Sequence, residues 1–197
     1  MTDRQTLRFN ITILGYGNVG KTSMISILND EHFDEESGLI TIAVDYSLKI
    51  KKINNKKCIF KVYDTPGVES QKLSCIKTIK GADGIILLFS VDNRTSFDEI
   101  NYWLQIINEQ SFQDKKIVYL VANKNDLIDR VISNEEGIEF AKKTGLKYFE
   151  ISAKNEFNIK EMFEELYKDI FNLPKNILNK INYNKDYIRY LMKYINQ

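Results

Sequence analysis

Cysteine is scarce in this chain: Cys58 and Cys75 are the only two in 197 residues. Neither has a histidine at ligand spacing, so neither a zinc site nor a disulfide framework is expected, and the thiols read as reduced. An excess of one charge is also missing. Twenty-eight basic residues against 27 acidic ones give a net charge of +1, which removes the bulk electrostatic case for nucleic acid or membrane binding. No apolar run approaches the length of about 20 residues that a membrane-spanning helix needs. The N-terminal stretch MTDRQTLRFN has no apolar signal core, and the C-terminal MKYINQ has no cysteine to prenylate. Internal repeats and low-complexity linkers are absent. What is present, 43% hydrophobic and 28% charged residues, suits one sizeable globular domain, read here as cytoplasmic.

Strand and helix patterns alternate along it. FNITILG (9–15) is a short apolar run ending in glycine and reads as a buried strand. KTSMISILND (21–30) follows at helical spacing, with Met24, Ile27 and Leu28 on one face. IAVDYSLKI and KCIFKVYD flank Asn54-Asn55, a hairpin signal. GIILLFSV (84–91) and KIVYLVAN (116–123) are continuous apolar runs of the kind found in central parallel strands, and KYFEIS (147–152) is a sixth strand. Segments 96–110, 133–145 and 155–171 read as helices starting at Ser or Asn. The alternation predicts a doubly wound α/β fold, a six-stranded, mostly parallel sheet with flanking helices. Ligands of such sheets bind at the carboxyl ends of the strands.

The loops at those ends carry the chemistry. GYGNVGKT (15–22) fits G-x-x-x-x-G-K-[ST] between a strand and a helix. In that motif Gly15, Gly17, Asn18, Val19 and Gly20 wrap backbone N–H groups around a phosphate, and the helix beginning at Lys21, Thr22 and Ser23 adds its positive end. Lys21 is expected to reach the β- and γ-phosphates and the Thr22 hydroxyl to ligate magnesium. The loop indicates a nucleoside triphosphate without saying which. NKND (123–126), after the fifth strand, offers the Asp126 carboxylate at a strand tip. A guanine edge presents two donors, N1–H and the 2-amino group, that one carboxylate accepts as a bidentate pair; adenine has no matching pair. ISAKN (151–155) follows the sixth strand and places Ser152, Ala153 and Lys154 where a backbone N–H can meet the guanine oxygen.

With GYGNVGKT, TIAVDY (41–46), DTPG (64–67), NKND and SAK in this order, the chain resembles small GTPases of the Ras superfamily, and most of all the Rab family. KGADGIILLFSVDNRTSFDEINYWL (80–104) and FEISAKNEFNIKEMFEEL (149–166) strengthen the resemblance, which runs from about Phe9 to Phe171. It implies a P-loop domain that binds GTP and GDP with Mg2+ and hydrolyses GTP. It implies that Thr41 joins the magnesium only when a γ-phosphate is present. Asp64 would hold the ion through water, and the Gly67 N–H would meet the γ-phosphate. Phe33 would pack on the guanine, Asn123 and Lys124 would brace the loop and cover the base, and Ala153 would assist Asp126. Partners of the family, effectors, exchange factors and GTPase-activating proteins, would read residues 33–46 and 64–80; no nucleic acid is implied.

The departures matter as much. The family's DTAGQE is DTPGVE here, so Val68 stands where a glutamine orients the attacking water, and the implied hydrolysis is slow. Lys21, Thr41 and Gly67 remain as the catalytic set. Pro66 fixes its own φ and favours an extended Thr65. Asn18 replaces a frequent glycine and is expected to tolerate a left-handed backbone. Ser70 and Gln71 occupy places where Rab-like proteins often carry Arg and an aromatic, and 33–41 is one residue longer than the common pattern. An alternative reading is a GTP-binding scaffold with negligible hydrolysis. Residues 7–173 form the expected GTP-binding domain. Residues 174–197, with net charge +4, read as a basic amphipathic helical extension, either packed on the domain, connecting to another, or touching a membrane or partner.

Overall fold

The computed structural model describes residues 6–33, 41, 43–67, 72–110 and 116–173. The expected helical extension over 174–197, the Val68, Ser70 and Gln71 positions, and most of residues 33–46 lie outside the described residues.

Six strands form one sheet: β1 (Leu7–Leu14), β2 (Asp45–Ile53), β3 (Lys56–Asp64), β4 (Gly84–Ser90), β5 (Ile117–Asn123) and β6 (Lys147–Glu150). Their spatial order is β2-β3-β1-β4-β5-β6. The pairing of β2 with β3 is antiparallel and all the others are parallel. The hairpin turns on Asn54 and Asn55, with φ of 46° and 61°, the pair of left-handed residues that matches the twist of the flanking strands.

The helices are α1 (Lys21–Leu28), α2 (Lys72–Lys80), α3 (Arg94–Asp98), α4 (Ile100–Gln110), α5 (Asn134–Thr144) and α6 (Ile159–Asn172). They cover both sheet faces, so β4 is buried along its whole length. One apolar cluster joins Phe9, Ile11, Ile13, Phe60 and Val62 to α1 and α6; the other joins Ile85, Leu87 and Phe89 to α2, α4 and α5. The first is built around rings. Phe60 stacks on Phe9 at 5.0 Å and meets Tyr167 at 4.3 Å.

Three helix readings shift. The segment 96–110 is two helices, and its cap is Asn93, whose side chain accepts from the Ser96 N–H at 3.1 Å. Ser96 is fully buried instead, its hydroxyl accepting from the Ser90 N–H at 3.0 Å at the end of β4. The last helix begins at Ile159, not near Asn155, because the Asn155 N–H donates to the Ser152 hydroxyl and keeps that residue in the loop. Residues 72–80, read only as part of the partner-reading segment 64–80, form α2, which buries just Cys75 and Ile79, too few positions to show a periodic face. Both cysteines are buried, their thiols donating to the carbonyls of Lys56 and Pro66.

Replacing Phe60 with alanine removes both ring contacts at the centre of the first cluster. The change should lower stability by about 3–5 kcal/mol, read from the urea-unfolding midpoint.

Candidate functional site

The parallel strands deliver four loops to one end of the sheet. β1 ends in the phosphate-type loop, where Gly15 and Gly20 have φ of 155° and 91° and Asn18 takes a left-handed φ of 59°. Space as well as conformation restricts the glycines: a Cβ on Gly15 would lie 2.1 Å from the Leu88 carbonyl oxygen, and one on Gly20 would lie 2.2 Å from Asn123 Nδ2. Val19 is fully buried, and Ser23, in the first turn of α1, is half-buried.

Lys21 opens α1 and is nearly buried. Its ammonium donates to the carbonyls of Gly15 and Tyr16 at 2.9 and 2.7 Å. Burial pushes its pKa down to about 8, against the opposing pull of the Asp64 carboxylate. Thr22, beside it, donates to Asp64 Oδ2 at 2.6 Å, and its hydroxyl oxygen lies 2.8 Å from that of Thr41. The structure thus brings Thr22, Thr41 and Asp64, drawn from α1, the 33–46 segment and the end of β3, to one point.

Asp64 is buried, and burial raises its carboxyl above the usual range. Its second oxygen, Oδ1, is buried and has no hydrogen-bond partner among the described residues. Two hydroxyls and an unpartnered carboxylate oxygen are hard donors, a set that fits Mg2+ completed by phosphate and water. The turn after β3 abuts the phosphate-type loop. A Cβ on Gly67 would meet Gly17 Cα and N and Lys21 Nζ, each at 2.6 Å, so only glycine fits. The Thr65 hydroxyl donates to the Ile13 carbonyl at 2.6 Å and fastens this turn to β1, a contact with no signal in the sequence.

β5 ends in Asn123, which is buried. Its Nδ2 donates to the Val19 carbonyl at 2.8 Å, and its Oδ1 accepts from the Ala153 N–H at 3.0 Å. One side chain therefore joins the loops after β1, β5 and β6. Within ISAKN, read from the sequence as offering a backbone N–H to a guanine oxygen, the Ala153 N–H is directed at Asn123. Ser152 donates to Asp126 Oδ1 at 2.5 Å, and Lys124, with φ of 65°, makes an ion pair with Asp92 at 3.2 Å. Lys154 follows as an exposed residue. Phe33 is half-buried and packs against the first apolar cluster.

Asn18 tests the loop's backbone. Asn18→Val puts a β-branched residue at φ 59° and should cost about 1–2 kcal/mol, whereas Asn18→Gly should cost little; thermal midpoints separate the two.

The model of the Ras family matches residues 10–172. The chain is 34% identical over 164 residues to Ras-related protein Rab-18 of Caenorhabditis elegans, covering 83% of this chain and 80% of that protein. It is 34% identical over 175 residues to Ras-related protein SEC4 of Saccharomyces cerevisiae, covering 89% and 77%. To Ras-related protein Rab-12 of Mus musculus it is 33% identical over 174 residues, covering 87% and 71%. A phosphate-type loop, a hydroxyl and carboxylate cluster and an NKND loop at one end of this sheet accompany that similarity: the chain belongs to the Ras family, as a Rab-like small GTPase.

Proposed function

We propose that this GTPase is a slow guanine-nucleotide switch of vesicle traffic. The observation that carries the reading is the Asn123 bridge, which holds the phosphate loop and both base loops in one site. Gly15, Gly17, Asn18, Val19 and Gly20 wrap the phosphates with backbone N–H groups, helped by the start of α1 at Lys21, Thr22 and Ser23. Lys21, steered by the Gly15 and Tyr16 carbonyls, contacts the β- and γ-phosphates, and their charge favours its protonated form. Asp126 reads N1–H and the 2-amino group of guanine, Ser152 holds its carboxylate, Ala153 works through Asn123, and Lys124 and Lys154 flank the base. Phe33 packs at the edge of the base.

Thr22 and Thr41 would hold the magnesium directly and Asp64 through water. Bound there, the ion would supply positive charge that offsets the charge developing on the phosphate oxygens. Thr41 reports the γ-phosphate in the first switch and the Gly67 N–H reports it in the second, so residues 33–46 and 64–80 take two arrangements that effectors, exchange factors and activating proteins distinguish. Gly67's close approach to Gly17 and Lys21 supports that role.

Hydrolysis needs a polar group to orient water, and Val68 supplies none. The rate is therefore low, and at its limit the protein is a GTP-bound scaffold. Val68→Gln should raise the single-turnover GTP hydrolysis rate by about tenfold or more, each tenfold being about 1.4 kcal/mol of transition-state stabilisation. An unchanged rate would place the deficit elsewhere.

Asp126→Asn swaps one acceptor oxygen for a donor. It should weaken GTP and GDP binding and favour xanthine nucleotides, whose 2-oxo group accepts a hydrogen bond. Competition between GTP and XTP for the purified variant checks this, and undiminished GTP preference would count against the assignment of Asp126.

A further inference from the structure

The loops carrying Asp126 and Ala153 are joined further by an arginine four residues beyond Asp126. Arg130 Nη2 donates to Glu150 Oε1 at 2.5 Å and Nη1 to Glu150 Oε2 at 3.1 Å, a two-pronged pair. Nη1 also donates to Asn125 Oδ1 at 3.2 Å, and Nε to the Ile132 carbonyl at 3.1 Å. The two charged side chains are 22% and 12% exposed, so solvent and salt screen them less than an ordinary surface pair.

The placement of the three partners is what gives the pair meaning. Asn125 is the residue directly before Asp126, and its N–H donates to the Ile151 carbonyl at 3.1 Å. Glu150 ends β6, two residues before Ser152. It is itself held by the Tyr148 hydroxyl at 2.8 Å, while the Asn158 amide donates to its backbone carbonyl at 2.9 Å. Beside the Asn125–Ile151 and Ser152–Asp126 bonds, one guanidinium thus fixes from the side how the loop that bears Asp126 sits on the strand end that bears Ser152.

We propose that Arg130 is a positioning residue for guanine specificity, acting on Asp126 through Asn125 and Glu150. The proposal rests on the guanine-reading role given to Asp126 above. Accepting N1–H and the 2-amino group together requires both carboxylate oxygens in the plane of the base edge. A hydrogen bond weakens steeply once its partners move apart by several tenths of an ångström or tilt, so a loosened loop loses the second contact. Arginine is suited to the task because its planar fork grips Glu150 with two nitrogens while one of them also holds Asn125; lysine carries the charge without the fork. An ion pair that only stabilised the fold would change unfolding and leave base discrimination intact.

The test uses the full chain, with Arg130→Ala and Arg130→Lys, and measures dissociation constants for GDP and for inosine diphosphate, which lacks the 2-amino group. The wild type should prefer GDP. Arg130→Ala should reduce that preference by about tenfold, equivalent to about 1.4 kcal/mol, and Arg130→Lys should fall between the two. Should the alanine variant fail to fold, the lysine variant decides: a reduced preference supports the proposal. An unchanged GDP preference in the folded variants, whatever their thermal midpoints, overturns it. A wild type with no preference for GDP overturns the guanine reading itself, and the role of Arg130 with it.

Discussion

The buried amide of Asn123 is the joint on which the rest of the site depends. It donates to the Val19 carbonyl and accepts from the Ala153 N–H, so it satisfies backbone groups from two loops that are otherwise far apart in the chain. A buried backbone group left without a partner costs about 1–3 kcal/mol, and removing this side chain would orphan two. The joint also explains a glycine, since a Cβ on Gly20 would occupy the place of Asn123 Nδ2. β5 delivers Asn123 and β1 delivers the loop it grips, with β4 between them, buried along its length. Sheet, loops and proposed nucleotide site are in this sense one construction.

Electrostatics completes it. Lys21 and Asp64 are both buried, and burial disfavours the charge on each, lowering one pKa and raising the other. Their mutual attraction and the hydroxyl of Thr22 offset only part of that cost. Phosphate beside Lys21 and a divalent cation beside Asp64 Oδ1 would each favour the charged form, which links the proposed ligands to the stability of the loops that hold them. The two switch elements meet at the same place: Thr41 touches Thr22, and Gly67 lies against Gly17 and Lys21.

Much of this was legible in the sequence because it rests on short-range rules. Unbroken apolar runs located β4 and β5, Asn54-Asn55 located the hairpin, and the strand-loop-helix setting of GYGNVGKT located the phosphate-type loop. The misread parts depend on contacts from elsewhere in the chain. Ser96 has the composition of a helix cap, yet tertiary packing turns its hydroxyl to Ser90 and leaves the cap to Asn93. Asn155 loses its place as a helix start to a bond from its N–H to Ser152. α2 buries two residues, too few to write a period. The direction of the Ala153 N–H, the grip of Thr65 on Ile13 and the fork of Arg130 are relations between distant residues, and no local pattern encodes them.

In the proposed switch, this fold holds a guanine nucleotide and releases its γ-phosphate slowly. That behaviour is tested most directly by the nucleotide content of the protein purified from cells without added nucleotide, resolved by anion-exchange chromatography. Close to one guanine nucleotide per chain is expected, with a substantial share still GTP. Protein free of nucleotide, or carrying adenine nucleotide, would contradict the binding site, and guanine nucleotide found wholly as GDP would contradict slow turnover.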